Sequence, residues 1–399
     1  VEVDGDLVGK GILDGVRVLE IGHAVAGPAA GLILLDLGAE VIKLEKPGKG
    51  DLFRNLPGMG SSIFMAINRG KRSVALDLGN IEGYKLFLEL VKISDVIIDN
   101  LDPEASKKLG ISYDILAREN PKIIYCKITG FGGGPYGELP AYDPMLQAIS
   151  GIMSVTGIPP DKYVRSGISL VDMAGAFNCV IGVLSALYRR MLIGKGAYIE
   201  VSLFDSAVYY MNYWISYYDL FKRIPEPLGS GHIFASPYGL FRTADGHVYL
   251  SIVSDEHWKR FCEALGFHDL LLDPRYKTSR DRVRHKKELE LEVERRLNSI
   301  ETRQIFKVLR ENKVPVAPLY TIDKLLEDPH VISRGVIGVM ECGDDSIRTA
   351  LNPLVIDGTR YSQIGCAPRL GEDTEYVLKN LLNLTDEAIS ELKRRGVIG

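Results

Sequence analysis

The chain has little cysteine, and none of it falls into a pattern. Five cysteines (126, 179, 262, 342 and 366) are scattered over 399 residues with no C-x-x-C pair, which argues against a disulfide framework. Seven histidines are equally dispersed, with no H-x-H or H-x-x-x-H spacing to suggest a metal site. Excess positive charge is missing too. With 48 basic and 52 acidic residues the net charge is -4, and a nucleic-acid binder usually carries a basic domain or stripe. The uncharged run 173–188 (MAGAFNCVIGVLSALY) falls short of the roughly 18 apolar residues that suggest a membrane span. The opening VEVDGDLVGKGILDG is acidic and Gly-rich, unlike a signal peptide. G-x-S-x-G does not occur, so there is no nucleophile elbow for serine hydrolysis. No repeat or low-complexity tract is present. What remains, 46% hydrophobic and 25% charged, is an ordinary soluble composition. A cytoplasmic protein without nucleic-acid or membrane partners is expected, long enough for more than one domain.

The first third alternates strand-like and helical patterns. Strands are expected at 16–21, 39–45, 73–78, 95–100 and 122–128, with helices over 29–37, 84–93 and 113–119. Strands separated by helices of this length imply βαβ units and a mostly parallel, Rossmann-like sheet. Ligands bind beyond the carboxyl ends of such strands. Those ends carry Gly22-His23, Glu45-Lys46, Asp77, Asp99-Asn100 and Gly130-Phe131-Gly132. A further strand is expected at 197–203 and a long aromatic helix at about 204–221, read as core or subunit interface. After a linker at 225–231, a hairpin around Asp245-Gly246 and helices near 254–266, 280–298 and 301–312 make a smaller α+β unit. Pro315–Pro318 reads as a return connection, and a last helix near 386–395 packs back on the first domain. The expected division is 1–222 and 326–399 for a large domain and 223–325 for a small one.

Three features bear on chemistry. Asp172 stands just before the uncharged run, at an expected strand-to-helix turn after 165–171. A helix N-terminus there favours its ionised form, and Asp is also a common N-cap. Seven basic residues between 41 and 72 (Lys43, Lys46, Lys49, Arg54, Arg69, Lys71, Arg72) face two acidic ones (Glu45, Asp51), a local positive patch suited to a multiply phosphorylated small ligand. The first turn, 22–28 (GHAVAGP), has P-loop glycine spacing. However, Pro28 and Ala29 replace the Lys and Ser/Thr of that loop, and G-x-G-x-x-G is absent. Glu45 keeps a ribose-binding, NAD-dependent dehydrogenase open as an alternative.

Several segments, in order, are together similar to the class III CoA-transferases, the family of formyl-CoA and carnitine-CoA transferases and α-methylacyl-CoA racemases. They are 13–20 (LDGVRVLE), 26–28 (AGP), 37–47 (LGAEVIKLEKP), 68–77 (NRGKRSVALD), 109–111 (LGI), 141–143 (AYD), 150–157 (SGIMSVTG), 172–174 (DMA), 328–330 (DPH) and 367–372 (APRLGE). The resemblance implies that Asp172 is a nucleophile and that coenzyme A lies over the strand ends. Val25, Ala26, Lys46, Lys71, Leu76, Asn100, Leu101 and Lys108 would surround its adenine, ribose and phosphates. Tyr142 and Asp143 would stand near the thioester, and the subunits would form an interlocked homodimer. Acyl-CoA and a small carboxylic acid are then the substrates, with no permanently bound cofactor. Backbone N–H groups near Gly229–Gly231 would hold the oxyanion. Val25 replaces the Gln of formyl-CoA transferases, and Tyr142 the His of racemases, which disfavours 2-methylacyl-CoA racemisation. A non-catalytic CoA-binding subunit, with Asp172 only a cap, is the remaining alternative.

Overall fold

The computed structural model describes residues 11–399, so most of the acidic opening segment lies outside it. The chain forms two compact units. One takes the residues up to 152 together with 166–215 and 332–399, and the other takes 153–165 and 216–331.

The first unit is built on a six-stranded sheet: β1 (Arg17–Ile21), β2 (Glu40–Glu45), β3 (Arg72–Ala75), β4 (Val96–Asp99), β5 (Ile124–Thr129) and β6 (Ala197–Ser202). Every pairing is parallel, and the spatial order is β3-β2-β1-β4-β5-β6, that of a doubly wound dinucleotide-binding sheet. Val18 lies opposite Val41 on one side and Val96 on the other. These strands are apolar almost throughout because helices cover both faces. The helices are α1 (Ala26–Asp36), α2 (Met59–Asn68), α3 (Ile81–Lys92), α4 (Pro103–Lys108), α5 (Tyr113–Glu119), α6 (Asp143–Ile149), α7 (Leu170–Ile193), α8 (Leu203–Tyr210) and α9 (Asn212–Phe221), the last running into the second unit. The C-terminal helices Thr374–Asn380 and Asp386–Arg394 return to this core. Val377, Leu378, Ile389, Val397 and Ile398 are buried with Leu19, Ile42 and Ile97.

The second unit carries an antiparallel sheet of β7 (Tyr238–Arg242), β8 (His247–Ser251) and β9 (Val316–Pro318), with β8 central. Its core gathers Trp258, Phe261, Leu289, Val293 and Leu309. The return connection is thus itself an edge strand, a place where a sheet tolerates proline.

Other departures have local causes. The extended segment expected over 165–171 forms no strand, and α7 starts at Leu170, so Asp172 is its third residue. The helix is 24 residues long and apolar enough to cross a bilayer by length and composition, yet within its unit it packs on α1, α8, β5 and β6. The aromatic segment breaks at Met211 into α8 and α9. Cys342 and Cys366 come together, Cα atoms 5.4 Å apart, in a disulfide. Cysteine spacing gave no sign of it, because the two segments meet only through tertiary folding.

Candidate active site

The order of the parallel strands reverses between β1 and β4, and the chain leaves both at one crevice. Asn100, just past β4, accepts the His23 N–H at Oδ1 and donates from Nδ2 to the His23 carbonyl, each at 3.0 Å. That reciprocal clamp needs room. A Cβ at Gly22 would lie 1.9 Å from Asn100 Oδ1 and one at Gly27 2.7 Å from it, so these glycines serve close approach. Ala24 takes a left-handed φ of 62° to turn the chain into α1. The β4 end is fixed from below. Asp99 Oδ2 accepts from Ser106 Oγ, Tyr125 OH and Lys127 Nζ, and the same ammonium donates to the Leu101 carbonyl at 2.8 Å.

Two cavities open over these strand ends and share His23 and Leu101 in their linings. The first, about 400 Å³, lies over β1 to β4 with Leu44, Leu76, Leu78 and Leu109 as apolar walls and Lys46 and Lys108 among its lining residues. The second, about 330 Å³, is lined by Val25, Ala26, Asn100, Tyr142, Asp143 and Asp172 among others. Burial, then the nearby Lys43 charge, lower the His23 imidazole below its usual range. Its Nδ1 has no partner among the described residues.

Asp172 does not cap α7. The N-cap is Ser169, with no side-chain cap bond. The capping carboxylate comes from 29 residues earlier: Asp143 Oδ2 accepts the N–H of Val171 at 2.6 Å and of Asp172 at 3.2 Å. The helix end therefore already has its anion, and a second carboxylate beside it is repelled. Burial, then the Asp143 charge, push the Asp172 carboxyl up to about 7, against the ionising influence expected of the helix N-terminus. A carboxylate this basic is also a better nucleophile.

The positive patch largely dissolves. Lys43 is paired with Glu20 and Asp51, Arg54 with Glu45, Arg69 with Asp36, and Arg72 with Glu40 and Asp373. Lys71 is fully buried, its ammonium held by Glu20 (2.6 Å), the Pro28 carbonyl and Asn68. Burial drives it down to about 8. A group so enclosed supports α1 from beneath and does not reach a phosphate. The Glu45 carboxylate is engaged by Arg54, Ser73 and the Asp51 N–H, which removes the ribose contact a dehydrogenase would need. Lys46 and Lys49 are the exposed cations of the stretch. In the second unit, the Gly229 and Gly231 N–H groups donate to the carbonyls of Gly157 and Leu228, so neither is an open oxyanion donor.

The model for "CoA-transferase family III" matches residues 13–374. The chain belongs to that family. It is 35% identical to the succinate–glutarate CoA-transferase of Agrobacterium fabrum, over 92% of this chain and 95% of the relative. It is also 35% identical to the acetyl-CoA:oxalate CoA-transferase of Acetobacter aceti, over 88% and 90%. Among solved structures, a CAIB/BAIF family protein from Brucella suis superposes with a TM-score of 0.85 at 31% identity, covering 93% of this chain and all of that one. The protein is thus a CoA-transferase. Of the residues expected around coenzyme A and the thioester, Lys71 alone lies outside the two cavities. Asp143, expected near the thioester, acts in the fold as the cap of α7. No motif marks His23 or Gln147 as a site residue. The strand-end position of the one and the four-residue spacing of the other from Asp143 were the available signals.

Proposed function

We propose that this transferase moves CoA from a donor thioester to a short organic acid through covalent intermediates on Asp172. The observation that carries the reading is the placement of Asp172 in a cavity adjoining a larger, apolar-walled one with two lysines in its lining. Supporting it, no hydrogen bond to the Asp172 carboxylate is found among the described residues, and the carboxyl titrates near neutrality. In the first step the carboxylate attacks the thioester carbonyl. The C–S bond breaks, CoA thiolate departs, and an acyl–aspartyl anhydride remains. The thiolate then attacks the aspartyl carbonyl and expels the donor acid, leaving an aspartyl–CoA thioester. The acceptor carboxylate attacks this thioester, giving a second anhydride and free thiolate. Attack of that thiolate on the acceptor's carbonyl forms the new acyl-CoA and restores Asp172. One difficult exchange is divided into four acyl transfers, and atoms balance without water or an external oxidant.

Coenzyme A would occupy the larger cavity, its adenine against the leucines and its phosphates toward Lys46 and Lys108. The acids named for the relatives (succinate, glutarate, oxalate) support a short dicarboxylic acceptor, to be tested with succinyl-CoA and acetyl-CoA against mono- and dicarboxylates. Incubation with donor acyl-CoA should leave an acyl group or CoA on the peptide containing Asp172, removable by hydroxylamine. A label mapped by mass spectrometry to any other residue removes the reading. The active form we propose is a homodimer, supported by the apolar side chains left exposed on α7, α8 and α9.

A further inference from the structure

Gln147 lies wholly inside the first unit, with no exposed surface, and both ends of its amide are engaged. Nε2 donates to Asp143 Oδ1 at 2.5 Å, one turn earlier on α6. Oε1 accepts the N–H of Ser166 at 2.9 Å, four residues before α7 starts. The other oxygen of Asp143 holds the N–H groups of Val171 and Asp172. Gln147 and Asp143 together thus tie α6, the segment leading into α7 and the first turn of α7 into one hydrogen-bonded chain. A buried primary amide is costly unless both its donor and its acceptor are satisfied, and a leucine of similar volume would fill the space without making either bond. We propose that Gln147 is a positioning residue for the transfer reaction, holding the Asp143 carboxylate and the entry of α7 in register so that Asp172 meets the thioester carbonyl.

The inference rests on the reading of Asp172 as nucleophile and concerns a residue that touches neither substrate. Misplacing a reacting group by about 1 Å costs on the order of 10²-fold. Replacing Gln147 should therefore lower kcat by about 10–100-fold, leaving KM for the acyl-CoA donor nearly unchanged, since the larger cavity has its own supports.

Gln147→Leu and Gln147→Glu separate positioning from mere packing. The introduced carboxyl can donate to Asp143 Oδ1 and accept from Ser166 only while protonated. Once ionised it faces Asp143 on its own helix, with Asp172 beyond on α7 and His23 in the same cavity. The other helix packed on α6 is α8, whose Asp205 is exposed. The activity of Gln147→Glu relative to the native enzyme should therefore fall as pH rises from 5.5 to 8.5, whereas that of Gln147→Leu should be low at every pH. Thermal melts, and the rate at which the Asp172 adduct forms in single-turnover mass spectrometry, accompany each variant. Should Gln147→Leu fold poorly, Gln147→Met takes its place.

Lowered kcat, steady KM, and a loss that grows with pH in Gln147→Glu but is independent of pH in Gln147→Leu support the proposal. Native kcat in either variant, a loss carried by KM, or equal pH-independent losses that track the melting temperature overturn it. Asp172→Asn is measured alongside. If that variant turns over normally the nucleophile reading itself fails, whereas an inactive Asp172→Asn beside fully active Gln147 variants removes only the role of Gln147.

Discussion

At neutral pH the Asp172 carboxyl is close to half-protonated, because burial and Asp143 both oppose its charge. Only the ionised form attacks a thioester, so kcat should climb as pH rises through about 7, as pH–rate measurements can show. The same carboxyl costs stability. Its folded value of about 7 lies above the usual 3.8, so its contribution favours the fold below pH 4 and is lost as pH rises through 7. Asp172→Asn should accordingly raise the melting temperature at pH 8, by an amount worth a few kcal/mol, and leave it nearly unchanged at pH 4. Were Asp172 a cap, its loss would lower the melting temperature instead. The lysines divide in a similar way. Lys46→Ala should weaken CoA binding roughly tenfold at low salt, less as salt rises, because an exposed charge contact is screened. Lys71→Ala instead leaves Glu20 buried with Lys43 as its remaining ion-pair partner and should cost about 3–5 kcal/mol of folding stability. Calorimetry with CoA and chemical denaturation distinguish the two.

At the scale of elements, the site depends on two loops meeting at the β1/β4 switch point. The strands behind them and helices α1, α3 and α5 are legible in the sequence to within a few residues, since apolar periodicity reports burial on one or both faces, whereas α2, α4 and α6 are not among the expected elements. What the periodicity cannot report is the reciprocal bond between Asn100 and the His23 backbone, 77 residues apart. Gly22→Ala should test that bond, because the added methyl takes the place of Asn100 Oδ1. CoA affinity is expected to fall while the sheet stays intact. Unchanged affinity with a normal melt would mean that the clamp has no part in shaping the crevice. The start of α7 was less legible for the same reason: its cap is supplied from α6, and local pattern assigned the capping role to the wrong aspartate.

At the scale of the molecule, exposed apolar surface is the outstanding feature. On α7, Ile181 is 61% exposed and Met191 84%; on α8 and α9, Tyr209 is 75% exposed and Tyr213 68%. Large apolar side chains left exposed in this number suit an interaction site, and a second copy of the chain is the proposed occupant. Sedimentation should give twice the chain mass, and Tyr209→Glu with Tyr213→Glu should shift it toward the monomer. A native chain that sediments as a monomer at micromolar concentration would leave this surface to another partner.

Sequence by itself determined the α/β class, the parallel sheet, the family and Asp172 as the residue to test, because periodicity and ordered short motifs are local properties. Tertiary structure decided which charges are available. Of seven cations in one segment, five are drawn into ion pairs, Arg54 with Glu45 of the same segment and the other four with carboxylates outside it, and only Lys46 and Lys49 stay exposed. It also set the Asp172 carboxyl near neutrality, since burial and the approach of Asp143 across 29 residues are distances in space. A charge counted along the chain becomes a site only when the fold leaves it unpaired.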